Sequence, residues 1–402
     1  MKVLHVIPSL APNDGGPSFA MPLIASGLRR AGIKIDVATT AGDEEVALLN
    51  GDLTKPASRD GVNYFYFRRQ TEFYKVSRPM TRWLARHIRD YDLVHIHALF
   101  SYAAYTASNL AIKNHVPYVI RPLGVLNRWG MENRRRLLKQ LSFRLIERRI
   151  LSNAAVIHYT SRQEKLEAQQ AGVTTSPVVI PLGIDTSAFQ TGTTPVRFYE
   201  RFPIATGREM ILFLSRLDPK KGLDILLRAF REVHEQRPAS LLVVAGDGEI
   251  EFVASLKKLA AELGIDKQVL WTGFLSGEDK LSAFAAASVF ALPSYSENFG
   301  LALVEAMASG VACVVSDQVG IAPEVQEFDA GSVVPCEAAP LASTLKLLLG
   351  NVELRERFGE NAVRLANERF SLEAMTFALL KLYKRIVGPQ AAGMDALAVG
   401  VE

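Results

Sequence analysis

Cysteine is almost missing from this chain: Cys313 and Cys336 are the only two in 402 residues. Two thiols cannot staple a protein of this size, so a disulfide framework is excluded and a reducing, cytoplasmic setting is expected. Long uncharged runs are scarce as well. The longest stretch without Asp, Glu, Lys or Arg is Leu93 to Ile112, twenty residues that also contain His95, His97, Ser101, Ser108 and Asn109. A bilayer would penalise each of those polar groups, so a buried strand, a loop and a helix are expected there instead of a membrane span. No secretory signal is read in MKVLHVIPSL, where Pro8 and the polar Asn13-Asp14-Gly15-Gly16 follow a short apolar run; a first strand entering a glycine loop is expected. Internal repeats and low-complexity tracts are also lacking.

Charge is balanced overall and uneven locally. The net charge is +4, yet eight basic residues and two acidic ones fall between Arg128 and Arg149. The remainder is therefore slightly acidic, and the basicity belongs to one segment. Leu137, Leu138, Leu141, Phe143, Leu145 and Ile146 interleave with those cations. Two readings stay open: a helix with one apolar and one cationic face resting on an anionic membrane, or an apolar face turned to the core beneath a solvated cationic one. Without aromatic stacking platforms on a strand face, the segment does not make a nucleic-acid surface.

Apolar content of 49% and charged content of 22% describe a folded globular chain, and the length predicts two domains. Short strand-like runs alternate with helical ones throughout: VLHVIP, IDVATT, VNYFYF, LVHIH, YVIRP, AVIHYT and VVIP, then ILFLSRL, SLLVVAG, VLWTGF, VFALPS, ACVVSD and GSVVP. Near-continuous apolar strands separated by helices predict parallel sheets covered on both faces. Two such series predict two doubly wound α/β domains with a cleft between them, over residues 1–190 and 205–370, joined through a Thr-, Gly- and Pro-rich stretch from Asp185 to Gly207. The helical pattern near 371–387 either closes the second domain or crosses back to the first, and residues 388–402 read as a frayed tail.

In open α/β sheets ligands lie beyond the carboxyl ends of the strands, so the loops there carry the chemistry. Gly15-Gly16, followed by Pro17 at a helix start, either meets an anion or makes a plain turn. Arg216 and Lys221 stand five apart after ILFLS and end at Gly222; a guanidinium fork and an ammonium suit a diphosphate, although solvated surface cations share that spacing. The turns at Gly246 to Gly248 and at Gly273-Phe274 suit a flat nucleobase, or serve as tight turns alone. In SYSENFGLALVEAMASG, Glu297 precedes a helix expected from about Gly300 to Ser309, and Glu305 lies on its second turn. The amides of Asn298, Phe299, Gly300 and Leu301 at that end favour an anion; alternatively the two glutamates cap the dipole and pair with neighbouring cations.

With these motifs the chain resembles retaining nucleotide-sugar glycosyltransferases of the GT-B fold, in the large sequence family known as family 4, from Gly15-Gly16 through SRLDPKKG to ENFGLALVE. The resemblance implies two Rossmann-like domains facing each other across a cleft. It implies transfer of a hexose-type sugar from a UDP- or GDP-sugar to a saccharide or lipid-linked acceptor, in polysaccharide or glycolipid synthesis. Neither a metal nor another cofactor is implied, and Asp90-Tyr-Asp92 is read as a helix end. Arg216 and Lys221 match the residues that bind the diphosphate; Glu305 matches the one that bonds the ribose hydroxyls; Glu297 matches the one that contacts the sugar. Gly16 matches the loop that meets phosphate and acceptor on closure. Many relatives carry a His-Gly pair after the strand equivalent to YVIRP, where this chain has Arg121-Pro122-Leu123-Gly124. Arg121 or His97 is the candidate to replace that histidine; a hydrogen-bonded histidine at a strand end is the alternative for His97. A nucleotide-sugar epimerase and a catalytically silent binding module stay open beside the transferase; Leu123 argues for the silent module, and the intact Arg216, Lys221, Glu297 and Glu305 argue against it.

Overall fold

A computed structural model describes residues 1–11, 15–42, 46, 53, 55–127, 136–190 and 194–388. The tail expected beyond 388 lies outside the described residues. Packing divides the chain into two units, Met1–Gly183 together with the segment from Leu372, and Ile184–Ser371.

The first unit is built on a sheet of β1 (Lys2–Ile7), β2 (Lys34–Ala41), β3 (Ala57–Arg59), β4 (Val62–Arg68), β5 (Leu93–His97), β6 (Tyr118–Arg121), β7 (Val156–Tyr159) and β8 (Pro177–Val179). The order is β3-β4-β2-β1-β5-β6-β7-β8. Every neighbouring pair is parallel except β3 with β4. Central strands are buried on both faces, which is why they read as largely apolar runs, although β1 and β5 also carry the buried His5, His95 and His97. The terminal helix Leu372–Val387 belongs to this unit and packs on the helix Gly16–Arg30. Contact is close enough that a Cβ on Gly27 would fall 2.3 Å from the Thr376 hydroxyl. The uncharged run from Leu93 is β5, a loop and the helix Tyr102–Lys113, and among the described residues no helix is long and apolar enough to cross a membrane.

The second unit carries six parallel strands, β9 (Glu209–Leu214), β10 (Ser240–Ala245), β11 (Val269–Gly273), β12 (Val289–Leu292), β13 (Cys313–Ser316) and β14 (Gly331–Val334), in the order β11-β10-β9-β12-β13-β14. Order reverses at β9 and β12, the kind of switch point at which doubly wound sheets open a crevice. Residues 184–190 and the stretch expected as linker count with this unit. That stretch has structure of its own: helices Ser187–Gln190 and Val196–Arg201 form, and Phe198 and Ala205 are buried.

Candidate functional site

The switch point of the second unit gathers the candidate residues. Beyond β9, Ser215 N donates to Ala245 O and Leu217 N to Asp247 O, so the loops after β9 and β10 run side by side. Their approach requires glycine. A Cβ on Gly246 would lie 1.9 Å from Ser215 O, and one on Gly248 would lie 2.1 Å from Leu217 O. Both glycines are thus explained by loop packing before any ligand is considered. Gly246 N also donates to Gly273 O, and Phe274, the next residue, is exposed.

Asp218 caps a short 3-10 turn, Pro219–Lys221, by accepting from Lys220 N, and its other oxygen lies 3.7 Å from Arg216 Nη2. The turn ends on Gly222 in the left-handed region, which buries the Lys221 stem while Arg216 stays exposed. Lys220 O accepts from Tyr295 N, which stitches this turn to the loop after β12. In that loop the backbone of Glu297 is held on both sides: its N–H donates to Gln318 O, and its carbonyl accepts from Gly320 N.

Thus fixed, the Glu297 carboxylate bonds the Lys221 ammonium through Oε2. Burial alone would raise its pKa, but Lys221, Lys220 and the Phe299 amide outweigh burial and hold it below the usual carboxylate range. The helix expected from about Gly300 runs over Leu301–Ala308, with Gly300 in the left-handed region as its N-cap and Asn298 half-buried ahead of it. One expectation is corrected here. The Phe299 amide already serves the Glu297 carboxylate, and its ring packs edge-on against Phe370, so it is not free for an anion. The amides of Gly300 and Leu301 stand at the helix start, where intrahelical acceptors are lacking.

Glu305, within the helix, bonds Lys280 Nζ at 2.6 Å through Oε1. Sequence reading does not single out Lys280. A weak signal exists: an ammonium at the fourth position of a helix, Gly277–Ala286, opposes the helix dipole and gains from an acidic partner elsewhere.

In the first unit, Gly15 takes a positive φ and caps the helix that begins at Gly16, with Pro17 in its first turn. Across the sheet, register sets His5 beside His95 and His97 beside Arg121, while His158 lies on β7. All five side chains are buried. The carbonyl of Ile180 can only accept, so His158 donates from Nε2 at 2.8 Å and accepts at Nδ1. His95 Nε2 donates to that nitrogen at 3.4 Å, leaving His95 Nδ1 to accept from the Tyr383 hydroxyl at 2.6 Å. His97 Nε2 faces His5 Nδ1 at 2.9 Å. Burial, with Arg121 nearby, pushes His5 and His158 down to about 3, and His95 and His97 fall well below their ordinary value. His97 is therefore a neutral, hydrogen-bonded strand-end histidine, the alternative reading of it, and not an exposed catalytic group.

Among the described residues one group could converge on a metal: ligand nitrogens of His5, His95 and His97 all lie within 4.8 Å of one another. Tyr383 already occupies the His95 lone pair, and the Arg121 cation acts on all three rings; both oppose a divalent ion there. Arg121 is balanced by Glu164, a second residue that sequence reading does not single out. Buried Glu164 accepts from Gly124 N at 2.6 Å and from Thr160 N at 2.7 Å, which fixes the Leu123-Gly124 turn. Asp90 and Asp92 bond His87 and the Lys2 amide, as expected of a helix end.

The basic segment is corrected in part. Phe143, Ile150 and Leu151 enter the core, whereas Leu137, Leu138, Leu141 and Leu145 are exposed beside Arg144, Arg148 and Arg149. The apolar face is thus divided, and its leucine part is not core. Arg128, Arg134, Arg135 and the Arg136 side chain lie outside the described residues.

Two family models match this chain, one described as "Glycosyl transferases group 1" over residues 198–364 and one as "Glycosyl transferase 4-like domain" over 15–183. The chain is 30% identical over 260 residues to the D-inositol 3-phosphate glycosyltransferase of Corynebacterium efficiens, covering 62% of this chain and 61% of that protein. That match spans about three fifths of the relative's length. It is 27% identical over 326 residues to the phosphatidyl-myo-inositol mannosyltransferase of Mycobacterium tuberculosis, covering 77% of this chain and 78% of that one. Among solved structures, the Anabaena protein HepE in complex with UDP and glucose superposes with a TM-score of 0.78 at 21% identity, over 96% of this chain and 100% of that one.

Proposed function

The chain belongs to the group 1 glycosyltransferases of GT-B fold, and from that premise we propose that it moves a hexose-type sugar from a UDP- or GDP-sugar to a saccharide or lipid-linked acceptor, with retention at the anomeric carbon. The observation that carries this reading is the Lys221–Glu297 pair at the switch point. Arg216 stands on the same loop as Lys221, and the helix Leu301–Ala308 starts just beyond Glu297, directly after its N-cap Gly300. In this reading Lys221 and Arg216 take the donor diphosphate, Glu297 the sugar hydroxyls and Glu305 the ribose. Breaking the sugar–phosphate bond develops negative charge on the departing diphosphate, and a preorganised ammonium and guanidinium lower that barrier. The leaving phosphate oxygen takes the acceptor's proton, so neither a protein nucleophile nor a metal is called for.

An acceptor on a lipid suits the exposed leucines beside Arg144, Arg148 and Arg149, a surface fitted to the inner, anionic face of a cytoplasmic membrane. The names of the two relatives, one acting on an inositol phosphate and one on a phosphatidylinositol, support a polar or lipid-borne hydroxyl as acceptor. The testing experiment is a thermal-shift screen of UDP-, GDP- and ADP-sugars followed by assay of nucleoside diphosphate release with glycolipid extracts. Binding to the folded state raises the melting temperature. No shift with any donor and no release with any acceptor overturns the reading.

A further inference from the structure

Lys280 is the fourth residue of the helix Gly277–Ala286, close behind an N-terminus whose dipole disfavours an ammonium. Its acidic neighbours do not explain it. Asp279 is bonded by Arg197 and Arg201, and Glu278 by Arg197 at 3.0 Å. The same helix is fixed by Phe198 N donating to Ser282 Oγ at 2.8 Å, and by Ser282 Oγ donating to Thr194 O at 2.9 Å. On this braced helix the Lys280 ammonium reaches Glu305 Oε1 at 2.6 Å and lies 5.8 Å from the Phe189 ring centroid. Both members of the pair are largely shielded, with side chains 24% and 16% exposed.

We propose that Lys280 is a positioning residue for nucleotide recognition: by holding Oε1 of Glu305 it turns Oε2 toward the vicinal hydroxyls of the donor's ribose. This rests on the donor-site reading above. A carboxylate free to swing among rotamers must be ordered when the nucleotide binds, whereas one already clamped by an ammonium is not. The clamp acts on hydroxyl recognition alone, because Lys280 itself contacts no part of the nucleotide in this scheme.

The experiment is isothermal titration of the full chain with UDP, GDP and their 2′,3′-dideoxy analogues. Wild type and the variants Lys280→Met, which keeps an unbranched stem, and Lys280→Arg, which keeps the charge, are compared at a temperature where melting curves show all three folded. Expected for Lys280→Met is a tenfold or greater loss of affinity for the ribonucleotide with the dideoxy affinity unchanged within twofold, and recovery of most of the preference in Lys280→Arg. An equal loss for both ligands, or an unchanged preference, overturns the inference while leaving the donor site standing. Failure of wild type to bind any of the four nucleotides overturns the donor-site reading and this inference with it.

Discussion

The ammonium of Lys221 is bonded to the carboxylate of Glu297, 76 positions further along the chain, and the two side chains are only 11% and 16% exposed. Each therefore neutralises a charge that would otherwise be stranded in a poorly solvated place. Removing one partner leaves the other uncompensated, so Lys221→Met and Glu297→Gln are each expected to destabilise the second unit by about 2–4 kcal/mol. The double variant is expected to regain most of that stability and none of the activity, because turnover needs the charges and folding needs only their balance. Urea denaturation beside a turnover assay checks both. A double variant that loses the sum of the two single losses would show that the pair is not a unit.

How much of this is legible in the sequence depends on where each signal lies. Parallel strands covered on both faces are continuous apolar runs, and they stand out; β3, three residues with an exposed arginine, has no such run and leaves no mark. Glu297 and Glu305 share one short segment, so their spacing is visible. Lys280 and Glu164 are harder to see, because Glu305 and Gly124, the partners that tie them to the site, lie 25 and 40 positions away, and a place near a helix start marks Lys280 only weakly. The histidine ladder is subtler. Each histidine is an ordinary strand residue, and only the registers of β1 against β5, β5 against β6 and β6 against β7 bring them together.

That ladder makes the first unit acid-sensitive. His5 and His158 have folded pKa values depressed to about 3 from 6.5, and His95 and His97 are depressed as well. Above pH 6.5 both folded and unfolded chains keep these rings neutral, and their contribution to stability is whole. As pH falls from 6.5 toward about 3 the unfolded chain takes up protons that the folded chain refuses, so stability is lost at about 1.4 kcal/mol per pH unit for each histidine. Amide-exchange protection in β1 and β5, corrected for intrinsic rates, is expected to drop between about pH 7 and about pH 5. His158→Gln, which retains a donor toward Ile180, is expected to flatten the slope by about one proton. Protection that does not change with pH would sink the idea.

Gly222 tests whether loop geometry holds the site. It sits at φ +68°, and a Cβ there would lie 1.9 Å from Pro293 O, which is backbone and cannot step aside. Gly207 has a similar φ of +73° with nothing within 4 Å. Gly207→Ala is therefore expected to cost about 1 kcal/mol from the backbone conformation alone. Gly222→Ala is expected to cost at least about 3 kcal/mol and to disturb the Lys221–Glu297 pair. Melting curves of the two variants decide it; equal shifts would mean that the loops after β9 and β12 are free to separate.

The exposed leucines separate membrane contact from folding. Leu137, Leu138, Leu141 and Leu145 are already in solvent, so replacing all four by Ser removes little buried area and is expected to change stability by less than about 1 kcal/mol. Insertion of the same side chains among lipid tails would be lost entirely, and flotation with anionic vesicles is expected to fall at least about tenfold. Replacing Arg144, Arg148 and Arg149 by Ser is expected to weaken flotation chiefly at low salt, since attraction to anionic headgroups is screened within about 8 Å at physiological ionic strength. If the leucine variant still floats as wild type does, the surface serves something other than a membrane; if it unfolds, those leucines are core after all.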